Sequence, residues 1–365
     1  MPKAKHRIVS IVGARPQFIK ALPFSRAVRA QDDFEEVMVH TGQHFDRNMS
    51  DIFFDELKIE RPRHHLNING GGHGAMTGRM LGAIEEVLLA ERPEAVIVYG
   101  DTNSTVAGAL AAAKLHIPVV HAEAGMRSFN RRMPEELNRV MADHLSAVLL
   151  CATTTAVENL KREGIVKGVH KVGDLMYDAT LLTVPLAKRH STILKRLGLK
   201  PKKYGVATVH RAENTDHHAT LAEIAEYLRK ESRKRPIILP LHPRTRQALR
   251  AAGINFAAGE IKIIDPLGYI DMCRLVHSAE IVLTDSGGLQ KEAYFHRVPC
   301  VTLRTETEWV ETIDCGWNRL WTVPEYQPQR RIKEYGNGQT AEQILKILAR
   351  MLQRKSSTRR GSKVE

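Results

Sequence analysis

Three carboxylates lie just beyond predicted strands in the first half of the chain. Two apolar strands within residues 95–128 each lead into an acidic residue, Asp101 and Glu123, and the segment RRMPEELNR adds Glu135. Parallel α/β sheets hold their active sites at the carboxyl ends of their strands. Acids at such positions can accept and return protons, so the pattern predicts acid–base chemistry rather than packing.

Glu135 also has a structural interpretation. The residues PEELNR have the pattern of a helix start, where Glu135 and Glu136 would lie at the positive end of the helix dipole. Glu135 and Arg139 are also spaced as an i,i+4 ion pair. Spacing alone therefore favours a structural charge, whereas proximity in sequence to Glu123 favours a catalytic acid.

The turn GARPQFIK, residues 13–20, has the composition of an anion site. It joins the first predicted strand to a helix and brings Arg15 and Lys20 close to a positive helix N-terminus. We predict that both side chains bind an anion, and surface charge is the alternative. The turn has no GxGxxG, which argues against a dinucleotide cofactor.

A second turn, TDSGGLQKE, is a stronger phosphate signal. Its strand ends in Ser286, Gly287 and Gly288, where a helix begins, so backbone N–H groups and a hydroxyl can approach a phosphate closely. Glu292 lies farther along that helix, where an acid can accept hydrogen bonds from ribose hydroxyls. A solvated helix carboxylate is the alternative for Glu292.

His210 follows another strand of the second half, in the segment GVATVHRAEN. A single histidine is often structural, but this one lies at a strand end that would face the acids of the first half. As a cation it could stabilise a departing phosphate. Both interpretations remain open at this stage.

Metal chemistry is not indicated. The sequence has no HExxH, and its four cysteines form no Cys-x-x-Cys pair. His121 and Glu123 with Cys300 are similar to the zinc deaminase signature, but its second cysteine is missing. We predict no metal, no cofactor, no disulfide framework and a reducing cytosolic environment.

Net charge gives only weak information about partners. The chain has 54 Lys and Arg against 41 Asp and Glu, a formal charge of +13, part of which lies in the tail RKSSTRRGSKVE. A solvated basic surface explains this excess as well as an anionic partner does. The sequence shows neither a signal peptide nor an apolar run of about 18 residues. We expect a cytoplasmic protein that binds neither nucleic acid nor membrane.

Strand and helix patterns alternate twice along the chain, which predicts an α/β fold with two doubly wound parallel sheets. The expected strands are RIVSIVG, EEVMVHTG, EAVIVYGD, IPVVHAEAG and AVLLCAT in the first half, then GVATVHR, PIILPLH, KIIDPL, EIVLTDSGG and PCVTLR. We predict two Rossmann-like domains, over residues 1–175 and 176–340, that face a cleft. A C-terminal helix over residues 341–353 is expected to pack back on the first domain. Residues 354–365 are expected to form a basic disordered tail.

Six motifs together closely resemble the non-hydrolysing UDP-N-acetylglucosamine 2-epimerases. They are GARPQFIK, YGDTNST, HAEAGMRS, PEELNR, VHRAEN and TDSGGLQKE, and they run in order from about residue 8 to about residue 320. The resemblance implies a GT-B arrangement, commonly as a homodimer, and epimerisation of UDP-GlcNAc for cell-surface polysaccharide precursors. It implies that Asp101, Glu123 and Glu135 exchange protons and that His210 assists the departing UDP. It assigns nucleotide-sugar binding to Arg15, Lys20, Ser286, Gly287, Gly288 and Glu292.

Two departures from the family pattern bear on specificity. Trp309 stands where many bacterial members have an arginine, so one basic substrate contact is expected to be lost. Gly70–His73 differ from the region that binds an allosteric UDP-GlcNAc in bacterial members, although Gln43, His44 and His242 match that site. GARPQFIK and RSFNRRMPEE also resemble the branch acting on UDP-2,3-diacetamido-2,3-dideoxy-glucuronate, whose carboxylate Arg131 and Arg132 could meet. A GT-B glycosyltransferase is the more distant alternative.

Overall fold

The computed structural model describes residues 5–43, 60–241, 243–254 and 259–361. The chain divides into two compact units. The first unit consists of Met1–Ala179 with Lys333–Glu365, and the second consists of Thr180–Ile332. The first boundary falls inside the helix Leu175–His190.

The first unit contains a parallel seven-stranded sheet with the strand order β3-β2-β1-β4-β5-β6-β7. Its strands are β1 His6–Val12, β2 Phe34–His40, β3 His64–His65, β4 Ala95–Tyr99, β5 Val119–Ala122, β6 Val148–Cys151 and β7 Val169–Lys171. Its helices are Arg15–Arg29, His73–Glu91, Asn103–Lys114, Pro134–Leu145, Thr154–Arg162 and the C-terminal Thr340–Gly361.

Burial of side chains on both faces of the sheet explains why these strands form the centre of the unit. Val9 and Ile11 of β1 pack in one cluster with Val96 and Val98 of β4, against the buried face of the helix His73–Glu91. The intervening residues of β1 are buried as well. Such near-continuous apolar strands are typical of a parallel sheet covered by helices on both faces.

The second unit contains a parallel six-stranded sheet with the order β10-β9-β8-β11-β12-β13. Its strands are β8 Gly205–Thr208, β9 Ile237–Pro240, β10 Ile261–Ile264, β11 Ile281–Thr284, β12 Cys300–Thr302 and β13 Asn318–Leu320. Its helices include Ile193–Leu197, Ala212–Thr215, His218–Ser232, Pro243–Ala251, Tyr269–His277, Gly287–Phe295 and Val310–Asp314.

Both sheets reverse their strand order at one point, and that point positions the site. The first unit switches direction between β1 and β4, and the second between β8 and β11. At such a switch the loops after the two central strands separate and leave a crevice in which doubly wound folds bind ligands. Each unit therefore has one edge at which ligand-binding residues are expected.

The predicted α/β class with two parallel sheets is confirmed, and all ten predicted strands are present. The short strands β3, β7 and β13, of two or three residues, were not predicted because so short a run carries no periodic signal. The sequence NMSDIFFDELKI also predicts a helix over residues 48–59, which lie outside the described residues. The C-terminal helix extends to Gly361, so the chain is helical beyond the predicted end at residue 353.

Candidate active site

Lys20 and Glu123 form a close, mostly buried ion pair in the first unit. Lys20 comes from the helix after β1, and Glu123 directly follows β5. The Lys20 Nζ lies 2.5 Å from the Glu123 Oε1, and their side chains are 10% and 13% exposed. Glu123 has a φ of 71°, in the left-handed region that a side chain rarely adopts. This unusual backbone at a strand end is typical of a functional position.

Gly100 makes room for that pair. Its φ is 64°, and a Cβ atom on it would lie 3.2 Å from the Lys20 Nζ and 3.6 Å from the Glu123 Oε1. A glycine adopts this conformation without the steric cost that other residues meet. The residue that follows is Asp101, so the acid after β4 comes directly after the glycine whose Cβ position faces the Lys20–Glu123 pair.

Asp101 is held by a buried arginine of the helix Pro134–Leu145. The Arg139 guanidinium pairs with the Asp101 carboxylate, and the Asn138 amide donates a hydrogen bond of 3.0 Å to the Asp101 carbonyl. The Asp101 side chain is 33% exposed, whereas Arg139 is 4% exposed. The cation therefore fixes one end of the carboxylate while the other side remains open to a ligand.

Glu136 makes contacts around the site that the sequence did not predict. Its buried carboxylate accepts hydrogen bonds from the Ser128 and Phe129 amides at 2.9 and 3.0 Å, and pairs with Arg139 at 3.0 Å. It thereby ties the loop after β5 to the arginine that holds Asp101. The signal was present in PEELNR, but the contacts lie seven and eight residues back along the chain.

Glu135, the neighbour of Glu136, is placed differently. It occupies the first turn of the helix Pro134–Leu145 and is partly exposed. In the part of the chain that the structure describes, its carboxylate makes neither a hydrogen bond nor an ion pair, so the predicted Glu135–Arg139 pair does not form. Arg139 instead bridges Asp101 and Glu136.

Gln17 occupies backbone donors of the turn after β1. Its Oε1 accepts hydrogen bonds from the Gly13 and Ala14 amides at 2.8 and 3.0 Å, and its Nε2 donates to the Tyr99 carbonyl at 2.7 Å. The side chain thus links the two loops at the switch point. Any anion binding at this turn therefore depends on the side chains of Arg15 and Lys20 rather than on these amides.

Gln43 has a structural role in the described residues. Its Oε1 accepts hydrogen bonds from the Ser104 amide and hydroxyl at 3.0 and 2.7 Å, at the start of the helix Asn103–Lys114. Its predicted contact with an allosteric ligand stays a prediction. His44 and His242, which were predicted with it, lie outside the described residues.

A buried charged network lies behind the strand-end acids. His121, the residue before Ala122 in β5, places its Nδ1 2.7 Å from the Asp143 Oδ1 and its Nε2 2.7 Å from the Gly100 carbonyl oxygen. Asp143 also pairs with Arg127 at 2.7 Å, and Arg127 pairs with Glu163 at 2.6 Å. Burial alone would raise the pKa of Asp143, but the charges and hydrogen bonds of His121 and Arg127 hold it below its ordinary value.

In the second unit, Asp285 positions the predicted histidine. This carboxylate is fully buried and accepts hydrogen bonds from the His210 and Arg211 amides at 2.9 Å and from the Asn214 side chain at 3.1 Å. The His210 Nδ1 lies 3.4 Å from the Asp285 Oδ1, and the side chain is 42% exposed. Asp285 stands one residue before the predicted Ser-Gly-Gly turn, yet its partners follow a different strand.

The Ser-Gly-Gly turn begins the helix Gly287–Phe295 as predicted. Ser286 is the N-cap, and its hydroxyl accepts a 3.4 Å hydrogen bond from the Leu289 amide. A Cβ atom at Gly288 would meet nothing within 4 Å, so the backbone there is open to a ligand. Glu292 is buried in the same helix. These features agree with a phosphate site at the switch point of the second sheet.

Trp309 is buried rather than presented to a ligand. Its ring lies under the Lys291 ammonium, with the Nζ 3.9 Å from the ring centroid. This cation–π contact helps to stabilise the buried ring.

Among the described residues there is neither a metal site nor a membrane-spanning helix. No group of three His, Cys, Asp or Glu side chains there has an arrangement that could hold a metal ion. None of the helices in the same ranges has the length and apolar content needed to cross a membrane.

Comparison with known proteins places this geometry in a family. The family model described as UDP-N-acetylglucosamine 2-epimerase matches residues 26–349. A UDP-N-acetylglucosamine 2-epimerase homolog of Methanococcus maripaludis is 49% identical over 359 residues, covering 94% of this chain and 99% of the relative. The UDP-2,3-diacetamido-2,3-dideoxy-D-glucuronate 2-epimerase of Pseudomonas aeruginosa is 47% identical over 361 residues, covering 94% and 100%.

A solved structure agrees with these sequence relatives. The UDP-GlcNAc 2-epimerase of Methanocaldococcus jannaschii, in complex with UDP-GlcNAc and UDP, superimposes with a TM-score of 0.85 at 40% identity. The match covers 95% of this chain and 99% of that one. The chain with these strand-end acids and this glycine turn therefore belongs to the UDP-N-acetylglucosamine 2-epimerase family.

Proposed function

We propose that the protein interconverts UDP-N-acetylglucosamine and UDP-N-acetylmannosamine by inverting C2 of the sugar without a cofactor. Family membership supports the reaction class, and the M. jannaschii relative, solved with UDP-GlcNAc and UDP, supports the substrate. One observation carries the proposal: Asp101 and Glu123 follow neighbouring strands, and each is held by a cation that is itself largely buried.

The chemistry requires such acids. C2 of the sugar has no adjacent carbonyl, so its proton is not acidic. The negative charge that develops at C2 on deprotonation must therefore be taken up by another group. Departure of UDP from C1 takes up that charge while a carboxylate removes the C2 proton, which gives a 2-acetamidoglucal. Protonation of C2 from the other face and return of UDP complete the inversion. One positioned acid or base contributes roughly 10²- to 10⁴-fold in rate, so several must combine.

The proposed roles follow from exposure and pairing. An ammonium group at 2.5 Å favours the charged form of Glu123, which is the form that accepts a proton. Asp101 keeps an open side, and Glu135 is free of partners among the described residues, so both suit exchange with a substrate. His210, oriented by Asp285, assists the departing UDP. The proposed nucleotide-sugar ligands are Arg15, Lys20, Ser286, Gly287, Gly288 and Glu292.

A product assay tests the proposal. We expect the purified protein to convert UDP-GlcNAc into UDP-ManNAc, detected by proton NMR, without added nucleotide cofactor or sugar acceptor. Asp101→Asn and Glu123→Gln should lose turnover while keeping UDP affinity in calorimetry. The matched control is Glu86→Gln, which removes an exposed helix carboxylate and should leave turnover unchanged. Wild-type protein that needs an acceptor before it consumes UDP-GlcNAc would instead be a glycosyltransferase.

A second candidate substrate is UDP-2,3-diacetamido-2,3-dideoxy-glucuronate. Arg131 and Arg132 are exposed in the loop before Glu135, and neither guanidinium pairs with a carboxylate of the described residues. They are therefore available to a sugar carboxylate, which arginine can bind with two parallel hydrogen bonds. Parallel assays should show which sugar has the higher kcat/KM, and Arg131→Gln with Arg132→Gln should lower that value for the uronate only.

We also propose a cytoplasmic homodimer. Leu137 and Met141 lie one turn apart on the helix Pro134–Leu145 and are 44% and 46% exposed, which suits an apolar contact with a second copy. The four cysteines are free, as expected in a reducing compartment. Light scattering after size-exclusion chromatography should give twice the 41.0 kDa chain mass, and Met141→Glu should shift it toward the monomer.

A further inference from the structure

His121 is fully buried between two hydrogen-bond acceptors. Its Nδ1 faces the Asp143 carboxylate and its Nε2 faces the Gly100 carbonyl oxygen, each at 2.7 Å. A carbonyl oxygen cannot donate a proton, so the Nε2 must carry one. The protonation state of the ring then depends on which group supplies the proton in the contact with Asp143.

Asp143 cannot supply that proton. Its second oxygen accepts a hydrogen bond from the Gly125 amide at 3.1 Å and pairs with the Arg127 guanidinium at 2.7 Å. A buried carboxylate that pairs with a guanidinium and accepts from an amide is stabilised in its ionised form, and these contacts lower the pKa of Asp143 against the effect of its burial. The Nδ1 of His121 must therefore donate as well. Both ring nitrogens carry hydrogen, and the ring is an imidazolium ion.

The ring holds the peptide that leads into Asp101. The Gly100 carbonyl accepts from His121, and the Gly100 amide donates to the Ala122 carbonyl at 2.9 Å. His121 and Ala122, consecutive residues of β5, thus hydrogen-bond to the carbonyl and the amide of Gly100, which has the left-handed conformation. The orientation of the Gly100 carbonyl sets the direction in which the chain enters Asp101.

The imidazolium also contributes to the charge balance of the region. Five carboxylates of this region each pair with a basic side chain. Lys20 pairs with Glu123, Arg139 with Asp101 and Glu136, Arg127 with Asp143 and Glu163, and the His121 ring with Asp143. At the surface, His144 lies 3.7 Å from Glu163. Burial raises the pKa of the nearby Cys151 thiol to about 12, so that group stays neutral. A neutral His121 would remove one of four buried cations.

We propose that His121 is a charged positioning residue, held as an imidazolium by Asp143, that orients the Gly100–Asp101 peptide for proton transfer at the sugar C2. The positioning role rests on the proposed epimerase function. The charged state of the ring does not, because it follows from contacts within the first unit.

Nitrogen NMR of the whole protein tests the charged state without reference to activity. With ¹⁵N-labelled histidine, the resonances missing from His121→Gln identify the ring. We expect both ring nitrogens of the wild-type protein to be of the protonated type at pH 8. In Asp143→Asn, one nitrogen should become unprotonated at pH 8. An unprotonated ring nitrogen of His121 in the wild type at pH 8 would overturn the proposal.

Kinetics tests the positioning role. His121→Gln keeps a donor near the Gly100 carbonyl but loses the charge, so kcat should fall roughly tenfold or more while KM changes little. In Asp143→Asn, kcat should fall further as pH rises through the ordinary range of imidazole, about 6.5, a step absent from the wild type. Unchanged kcat in folded His121→Gln would refute positioning. If wild-type protein shows no epimerisation, the function proposal fails, and the NMR result still decides the charge.

Discussion

The same substitution should affect turnover at Glu135 and thermal stability at its neighbour Glu136. Each becomes glutamine, with the same loss of one charge at the same helix start. Glu135 is partly exposed and unpaired within the described residues, whereas Glu136 is 3% exposed and holds Arg139 and two loop amides. We expect Glu135→Gln to reduce turnover without reducing stability, and Glu136→Gln to reduce stability.

The magnitudes follow from these contacts. Removing one partner of a buried ion pair costs about 3–5 kcal/mol, and the Asp101 contact that Arg139 retains favours the lower end. About 3 kcal/mol lowers the melting temperature of a unit of this size by roughly 6–12 °C. An exposed substitution changes stability by no more than about 0.5 kcal/mol. Loss of a proton-transfer group costs roughly 10²- to 10⁴-fold in kcat.

Two measurements on each variant decide the matter. Differential scanning calorimetry at pH 7.5 gives the melting temperatures, and conversion of UDP-GlcNAc below the melting range gives kcat. A Glu135→Gln protein with kcat within about threefold of wild type would refute the catalytic assignment of Glu135. A Glu136→Gln protein with the wild-type melting temperature would show that the buried contacts contribute little to folding.

Three further substitutions have defined outcomes. Lys20→Gln keeps a hydrogen-bond donor to Glu123 but loses the ammonium charge. Because a hydrogen bond to a charged group is worth about 1.5–3 kcal/mol, kcat should fall roughly 10- to 100-fold. An unchanged kcat in the steady-state assay would contradict the role of the pair. Gly100→Ala forces a side chain into the left-handed region, which costs about 1–2 kcal/mol, and places its Cβ against the Lys20 Nζ, so turnover should fall. The control Gly288→Ala, where a Cβ meets nothing within 4 Å, should leave the melting temperature nearly unchanged. A Gly100→Ala protein with the melting temperature and the activity of wild type would contradict this reasoning. Burial raises the pKa of Asp178 from 3.8 to about 6, so its ionisation destabilises the folded state progressively as pH rises from about 4 to 6. Asp178→Asn can still accept a hydrogen bond from the Ala341 amide, so its free energy of unfolding should rise by up to about 3 kcal/mol at pH 7.5 but not at pH 4. Equal gains in thermal melts at both pH values would exclude this cause.

The sequence predicted those features that depend on local patterns. Long apolar strands such as β1 and β4 and the Ser286–Gly287–Gly288 turn were recognisable because their periodicity and residue types are read along the chain. Asp101 and Glu123 were predicted for a related reason, since each directly follows such a strand. Their assignment to an epimerase came from the ordered resemblance of six motifs.

The residues that organise the site were harder to predict because their partners are distant in sequence. Gln17 links Gly13 and Ala14 to Tyr99, and Asp285 holds the amide of His210 across two strands. Nothing in the local sequence distinguishes these side chains from an ordinary polar residue. Only the parallel pairing of strands that are far apart in the chain brings donor and acceptor together.

Solvent deuterium tests the central claim, that strand-end carboxylates exchange the C2 proton of a UDP-sugar. The wild-type protein is incubated with UDP-GlcNAc in D₂O, and both epimers are recovered for NMR and mass spectrometry. We predict one deuterium at C2 of the product and, with time, of the recovered substrate, and none with Asp101→Asn or Glu123→Gln. Epimerisation that retains protium at C2 throughout would contradict the account.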